Sequence, residues 1–189
     1  FLLHFDGRRT QAFDGRETAP AAATPALLLA ADGKPLPFRE AVVGGRSVGV
    51  PGTVQVLELA HRQHGRLPWA RLFEPAIALA TQGFDVSPRM ATLLAQETAL
   101  KKDPVAAAYF YDPQGQPWPV GHRLRNPELA AVLHGIAQHG SGAMTTGGLA
   151  QAIADKVQKH PTNPGTLSVQ DLAAYRAVGR EPLCFDYPV

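Results

Sequence analysis

Cysteine and an excess of charge of one sign are the two things this sequence most obviously lacks. Because Cys184 is the only cysteine, no disulfide can form within the chain and no cysteine-based metal site can be assembled. Lysine and arginine number 18 against 16 for aspartate and glutamate, a formal charge of +2. Such a balance does not indicate nucleic acid or an anionic membrane as a partner.

Long apolar runs are also missing, since none approaches the ~20 residues needed to cross a bilayer. We therefore expect no membrane span in this chain. The first residues, Phe1 to Phe5, have neither an initiator methionine nor the layout of a signal peptide. We accordingly expect Phe1 to be an interior position of a longer sequence.

Motifs for metals, phosphates and serine nucleophiles are absent as well. The seven histidines include His61 with His64 and His134 with His139, but these pairs belong to no HExxH or comparable ligand frame. The glycines form neither GxGxxG nor GxxxxGK[ST], and no GxSxG is present. The sequence thus predicts no metal site and no cofactor.

Strand signals lie near the two ends of the chain. Apolar and polar residues alternate on both sides of Asp6-Gly7, a pair that tolerates the positive φ of tight turns, so a hairpin is predicted there. Near the other end, Leu183, Phe185, Tyr187 and Val189 alternate with polar residues or proline, which predicts a half-buried strand.

The middle of the chain carries helix signals. We predict a helix that is capped by Thr53 and runs toward His64, with Gly65 as a left-handed stop and with three inward residues, Val54, Leu57 and Leu59. Ser87-Pro88 and Asn126-Pro127 each predict a helix start. Ser168 and Asp171 have capping-box spacing at the start of another short helix. The predicted class is α+β, with residues 1–189 as a single domain.

Arg16-Glu17 is the sharpest local feature for chemistry. An arginine after the strand-ending Asp14-Gly15 can offer its planar fork to a carboxylate through two parallel hydrogen bonds, which suits an amino-acid α-carboxylate. A solvated arginine, or one paired with Asp14 or Glu17, is the competing interpretation. Residues elsewhere in the chain are needed to choose between them.

The segment Phe13–Pro20 resembles the part of γ-glutamyltranspeptidases that supplies the substrate-carboxylate arginine. Further blocks are similar to that family in the same order: Ser47–Thr53, His61–Trp69, Glu74–Ala80, Arg125–Ala130, Leu167–Tyr175 and Arg180–Leu183. The resemblance covers nearly the whole chain. It departs at Ala143–Gly147, where the family commonly has an aromatic pair before the glycine.

The resemblance implies an incomplete part of the large subunit of an N-terminal-nucleophile hydrolase with αββα layers, made as a precursor that cuts itself in two. The nucleophilic threonine of such enzymes begins the smaller subunit. Thr145-Thr146 is followed by Gly147-Gly148 and not by the family's His and Ser, so we expect no catalytic residue in this chain. Arg16 is the one site residue that carries over, with Glu17 as its structural companion.

The implied activity is cleavage of γ-glutamyl amides such as glutathione, with transfer of the γ-glutamyl group to water or an amine. The implied partners are the small subunit, the remainder of the large subunit and a γ-glutamyl substrate, in the periplasm or outside the cell. A cephalosporin-acylase-like or capsule-processing amidase of the same fold is one alternative. A noncatalytic helical binding module is another.

Overall fold

The computed structural model describes residues 1–186 and divides the chain into two compact units. The first unit consists of Phe1–Arg71 together with the chain from Gly135 onward, and the second is Leu72–His134. The strands are β1 (Leu2–Phe5), β2 (Thr10–Asp14), β3 (Phe84–Asp85), β4 (Arg123–Leu124) and β5 (Val178–Arg180).

Helices make up most of the remaining regular structure. The α-helices are α1 (Phe38–Val42), α2 (Thr53–His64), α3 (Glu74–Gln82), α4 (Pro88–Gln96), α5 (Pro104–Phe110), α6 (Pro127–His139), α7 (Gly142–Thr145), α8 (Gly147–Gln158) and α9 (Val169–Ala174). Short 3-10 helices cover Trp69–Phe73 and Leu100–Lys102.

The predicted hairpin is confirmed. Strands β1 and β2 pair antiparallel, with Leu2 opposite Phe13 and Phe5 opposite Thr10. In the turn, one carboxylate oxygen of Asp6 accepts the main-chain N–H groups of Arg8 and Arg9, both at 2.8 Å. Gly7 has a φ of 96°. The left-handed backbone and the short aspartate side chain therefore close this turn locally.

The second strand signal was misplaced. The strand that pairs with β2 is β5, Val178–Arg180, in a sheet of order β1-β2-β5. Residues 181–186 have no regular structure, with Leu183 99% and Phe185 83% exposed, while Tyr187 and Val189 lie outside the described residues. The alternation alone was insufficient, because a strand also needs a partner, and the earlier segment occupies the free edge of β2.

Three predicted helix starts are confirmed by their hydrogen bonds. The Ser87 hydroxyl accepts the N–H of Met90. The side-chain oxygen of Asn126 accepts the N–H of Leu129. Ser168 and Asp171 form a reciprocal capping box, each side chain accepting the other's main-chain N–H. Each of these capping hydrogen bonds joins residues that are three positions apart. The local sequence is therefore enough to predict the helix start.

The prediction for α2 was right in extent and wrong in detail. Gly52, not Thr53, is its N-cap, and Gly65 has a φ of −63° and not a left-handed conformation. Leu57 is 46% exposed, whereas the buried residues of this helix are Val56 and Ala60. Val54 and Leu59, which were also predicted to face inward, are partly buried, so the prediction was wrong at Leu57 and missed Val56 and Ala60. The small buried residues of α2 permit close packing against Phe13 of β2.

The first unit has two clusters of buried residues. One contains Phe13, Val56 and Ala60. The other is formed by residues from four parts of the sequence: Val50, Ala150, Val157, Leu167, Leu172 and Tyr175. This second cluster packs α9 and Tyr175, the residue after it, against α8 and Val50.

The second unit is built from α3 to α5, β3, β4 and the start of α6. Strands β3 and β4 pair antiparallel, with Phe84 opposite Leu124. Tyr111 is 3% exposed, and its hydroxyl donates to the carbonyl of Leu94 at 2.9 Å. Across residues 1–186, none of the helices combines the length and the apolar character that a membrane crossing requires.

Candidate functional site

The loop that carries Arg16 is fixed to its surroundings at both ends. It leaves β2 after Asp14, which lies opposite Val178 of β5. Beyond Glu17, Thr18 forms an antiparallel bridge with Val50, whose N–H donates to the Thr18 carbonyl at 2.8 Å. Residues 15–17 therefore form a short loop between two antiparallel backbone pairings, which limits how far the loop can move.

Both main-chain polar groups of Arg16 have partners. Its N–H donates to a carboxylate oxygen of Asp14 at 2.9 Å, which forms a tight side-chain turn. Its carbonyl accepts a hydrogen bond from the hydroxyl of Tyr175, also at 2.9 Å. The backbone of Arg16 is thus held on one side from β2 and on the other side from the end of α9.

Asp14 has a second role through its other carboxylate oxygen. That oxygen accepts from Nε of Arg180 in β5 at 2.6 Å. The Arg16 N–H, followed by the Arg180 guanidinium, lowers the pKa of Asp14 below its usual value. Because both donors favour the carboxylate form, Asp14 remains an acceptor for the loop at neutral pH.

The side chain of Arg16 is exposed and forms an ion pair with its neighbour. Its Nη2 lies 3.0 Å from Oε1 of Glu17, while the two side chains are 67% and 50% exposed. An exposed ion pair of this kind contributes little to stability. The guanidinium of Arg16 is planar, positively charged and accessible from solvent. The pairing with Glu17, one of the interpretations of the sequence, is present.

Tyr175 contributes to this loop although no sequence pattern singled it out for that role. Its side chain is 7% exposed and belongs to the cluster with Val50 and Leu172. Burial, followed by the negative charges of Asp14 and Glu17, raises the pKa of its phenol above the usual value. The hydroxyl therefore keeps its proton and serves as a donor to Arg16.

Two glycines allow this close packing. A Cβ on Gly52 would overlap the Tyr175 hydroxyl, and a Cβ on Gly15 would overlap the side chain of Val56. The backbone thus approaches its neighbours where a side chain has no room. Gly52 belongs to the block Ser47–Thr53 and Gly15 to the block Phe13–Pro20, both of which carried the family resemblance.

A further contact joins the other end of α9 to the same loop region. Asp171 accepts the N–H of Ala21 through one oxygen and bonds Ser168 through the other. The Ser168 hydroxyl, followed by the Ala21 N–H, lowers the pKa of Asp171. Helix α9 therefore contacts the polypeptide around Arg16 from its first turn as well as from Tyr175.

The side chains of Thr145 and Thr146 form hydrogen bonds within the end of α7. The hydroxyls of Thr145 and Thr146 both donate to the carbonyl of Gly142, at 3.4 and 3.1 Å. This is the short-range back-bonding usual for threonine in helices. Within residues 1–186, no group of three or more His, Cys, Asp or Glu side chains has the arrangement of a metal site.

The γ-glutamyltranspeptidase family model matches residues 1–189. The chain belongs to the γ-glutamyltranspeptidase family. Its 34% identity to the glutathione hydrolase proenzyme of Bacillus subtilis strain 168 extends over 189 residues, which is 99% of this chain and 32% of that protein. The chain therefore spans about a third of the length of this curated relative.

Solved structures of the γ-glutamyltranspeptidase family have the same fold. The γ-glutamyltranspeptidase of Helicobacter pylori matches with a TM-score of 0.90 and 28% identity, over 98% of this chain and 53% of that one. A cephalosporin acylase from Bacillus halodurans matches with a TM-score of 0.79 and 28% identity, over 98% and 34% of the two chains. The predicted class, an α+β part of an N-terminal-nucleophile hydrolase fold, is confirmed.

Proposed function

We propose that this chain is part of the large subunit of a proenzyme that cleaves γ-glutamyl amide bonds, including that of glutathione, and transfers the γ-glutamyl group to water or to an amine. Its membership of the γ-glutamyltranspeptidase family supports this proposal. So does its match to about a third of a glutathione hydrolase proenzyme. The chain alone is expected to be inactive.

Within that function, Arg16 binds the α-carboxylate of the γ-glutamyl substrate. The observation that carries this role is an exposed guanidinium on a loop whose main chain is fixed on both sides. Two parallel hydrogen bonds to a carboxylate need a guanidinium that is held in one orientation. Glu17 lies beside the guanidinium as its structural companion, in an exposed ion pair.

The bond-breaking step belongs to the remainder of the protein. In the reaction implied by family membership, a threonine hydroxyl at the start of the small subunit attacks the γ-carbonyl, and the threonine's own α-amino group takes the proton. The C–N bond breaks as the departing amine takes up that proton, and the γ-glutamyl group remains as an ester on the threonine oxygen. Water or an acceptor amine then attacks this ester, and its proton returns to the threonine oxygen. Arg16 contributes binding energy at the far end of the glutamyl group and touches none of the reacting atoms.

The proposed partners are the small catalytic subunit and the rest of the large subunit, with the periplasm or the cell exterior as the compartment. Strand β1 supports the need for partners, because it lies at the edge of its sheet with Leu3 70% and Phe5 65% exposed. Open edges and apolar faces of this kind favour association. A compact, stable monomer of the isolated chain in size-exclusion chromatography would contradict this expectation.

A cephalosporin-acylase-like substrate is the second candidate. The structural match to the Bacillus halodurans acylase favours it, as that enzyme shares the framework of this chain. Capsule-processing amidases belong to the same alternative. Turnover of γ-glutamyl, glutaryl-cephalosporin and poly-γ-glutamyl substrates by the complete protein separates these possibilities, and an α-carboxylate beside an amino group is the feature that Arg16 favours.

Replacement of Arg16 in the complete proenzyme tests the proposal. Arg16→Ala is expected to raise KM for a γ-glutamyl anilide about 10- to 100-fold, because a charge-assisted contact to the substrate carboxylate is lost. Arg16→Lys is expected to fall between wild type and alanine, since it keeps the charge and loses the fork.

Arg9→Ala is the matched control, because Arg9 is equally exposed (68%) and pairs with Glu181 at 3.7 Å. Its kinetics are expected to match wild type. An unchanged KM in Arg16→Ala would overturn the carboxylate role. If no γ-glutamyl substrate is turned over by the processed wild-type protein, the proposed reaction itself is wrong.

A further inference from the structure

The phenol of Tyr175 lies where it can fix the direction in which Arg16 points. The two peptide planes that flank Arg16 are held separately: Asp14 accepts the N–H of one, and Tyr175 donates to the carbonyl of the other. A residue has only two soft backbone dihedrals, φ and ψ, between those planes. Holding both planes therefore sets the direction of the Cα–Cβ bond.

The side chain itself supplies little further orientation. Arg16 is 67% exposed, and its Glu17 neighbour is 50% exposed, so packing does not restrict the arginine strongly. Long cationic side chains retain many rotamers at such sites. The position of the guanidinium thus depends on how well the backbone beneath it is fixed.

Tyr175 is a suitable anchor because it is itself held firmly. Its ring lies in the core cluster of the first unit, against the backbone of Gly52. The side-chain amide of Gln55 forms two hydrogen bonds with the main chain at and after Tyr175. Its Nε2 donates to the Tyr175 carbonyl at 3.0 Å, and its Oε1 accepts the Ala177 N–H at 2.5 Å. The first turn of α2 therefore fixes the segment from which the phenol projects.

From this geometry we infer that Tyr175 is a positioning residue for substrate recognition: its hydroxyl aligns Arg16 with the α-carboxylate, and Gln55 supports it. The inference rests on the proposed role of Arg16 and extends it. Because Arg16 touches none of the reacting atoms, misalignment of its guanidinium is expected to weaken substrate binding without slowing the chemical step. The expected signature is a higher KM at unchanged kcat.

Tyr175→Phe in the complete, processed enzyme is the direct test, because it removes only the hydroxyl. With a γ-glutamyl anilide, KM is expected to rise about three- to tenfold, the loss of one hydrogen bond, while kcat stays within about twofold. The matched control is Tyr111→Phe. That tyrosine is also buried, and its hydroxyl also donates to a main-chain carbonyl at 2.9 Å, in the second unit.

A purely structural role would lower the melting temperature in both variants and would leave KM unchanged in both. An equal KM in Tyr175→Phe and Tyr111→Phe therefore overturns the inference. Competitive inhibition gives a second readout. The inhibition constant of glutamate is expected to rise in Tyr175→Phe, whereas that of 4-aminobutanoate, which lacks the α-carboxylate, is expected to stay constant.

Gln55→Glu keeps the inference testable if Tyr175→Phe fails to mature into two subunits. Glutamate at this position still accepts the Ala177 N–H and can no longer donate to the Tyr175 carbonyl. A raised KM for the γ-glutamyl anilide with an unchanged kcat supports the inference. Nη1 of Arg176 also donates to the Tyr175 carbonyl, at 2.7 Å, so an unchanged KM in a processed Gln55→Glu enzyme overturns the supporting role of Gln55.

Combining the variants separates this inference from the proposed function. In Arg16→Ala, the added Tyr175→Phe change is expected to raise KM no further, because residues that act through one another are not additive. If Arg16→Ala raises KM and Tyr175→Phe does not, the positioning role alone fails. If Arg16→Ala leaves KM unchanged, the carboxylate site itself fails.

Discussion

Tyr175 donates a hydrogen bond of 2.9 Å to the carbonyl of Arg16, a residue 159 positions earlier in the chain. This contact joins the end of α9 to the loop after β2, beside the antiparallel pairing of Asp14 with Val178. The loop that offers the candidate substrate-binding arginine is therefore shaped by a distant part of the chain. The first unit gives three further predictions about the complete protein.

Gly52→Ala is expected to destabilise the fold by about 1–3 kcal/mol, the usual cost of forcing an extra methyl group into a packed site. The added Cβ would overlap the Tyr175 hydroxyl and the carbonyl of Gly15. Gly135→Ala is the control, because Gly135 lies within α6 with open space at its Cβ position. That change is expected to stabilise by about 0.5–1 kcal/mol. Chemical denaturation measures both, and equal effects of the two substitutions would contradict the packing argument.

Glu58→Ala is expected to cost about 1–3 kcal/mol, because it leaves a buried main-chain donor unpaired. Glu58 accepts the N–H of Ser141 at 2.9 Å and a guanidinium N–H of Arg62 at 2.7 Å. Burial raises its pKa, but these hydrogen bonds from Ser141 and Arg62 outweigh burial and leave the pKa below its usual value.

The control for Glu58 is Arg62→Ala. The Arg62 side chain is 73% exposed, so its loss is expected to change the free energy of unfolding by less than about 1 kcal/mol. Denaturant midpoints at pH 7 distinguish the two variants. A similar small effect of both would show that the Ser141 N–H finds water instead.

The capping box of α9 is expected to make stability dependent on pH. Hydrogen bonds from the Ser168 hydroxyl and then the Ala21 N–H lower the pKa of Asp171 below its usual value of 3.8. A carboxylate with a lowered pKa stabilises the folded state above its unfolded pKa, and the contribution is lost as the pH falls through the folded pKa.

Asp171→Asn is therefore expected to lower the free energy of unfolding by about 1 kcal/mol at pH 7, the usual value of a helix cap. The difference from wild type is expected to shrink as the pH falls below 3.8, because the unfolded state then binds a proton before the folded state does, and to vanish once the pH has passed through the lowered pKa of the folded state. Denaturation curves between pH 7 and pH 3 measure it. Ser168→Ala should weaken the same pH dependence, and a constant difference across this range would contradict the prediction.

Short-range signals in the sequence were sufficient for several elements. Asp6-Gly7 predicted the hairpin turn, and Ser87, Asn126 and Ser168 predicted helix starts, all of which the structure confirms. In each case the deciding hydrogen bonds join residues at most three positions apart, so the necessary atoms are contained in the local sequence. The resemblance to the γ-glutamyltranspeptidase family could likewise be found from the amino-acid sequence alone.

Other features required the assembled fold. The inward position of Leu57 in α2 and the position of the last strand were predicted wrongly, because both depend on which distant segment is adjacent: Val56 and Ala60 face Phe13, and Val178–Arg180 pairs with β2. Arg16 could be named from the sequence as a candidate, but its anchoring by Tyr175 could not. A hydrogen bond across 159 positions leaves no local pattern, and only the packing of α9 against the loop after β2 creates it.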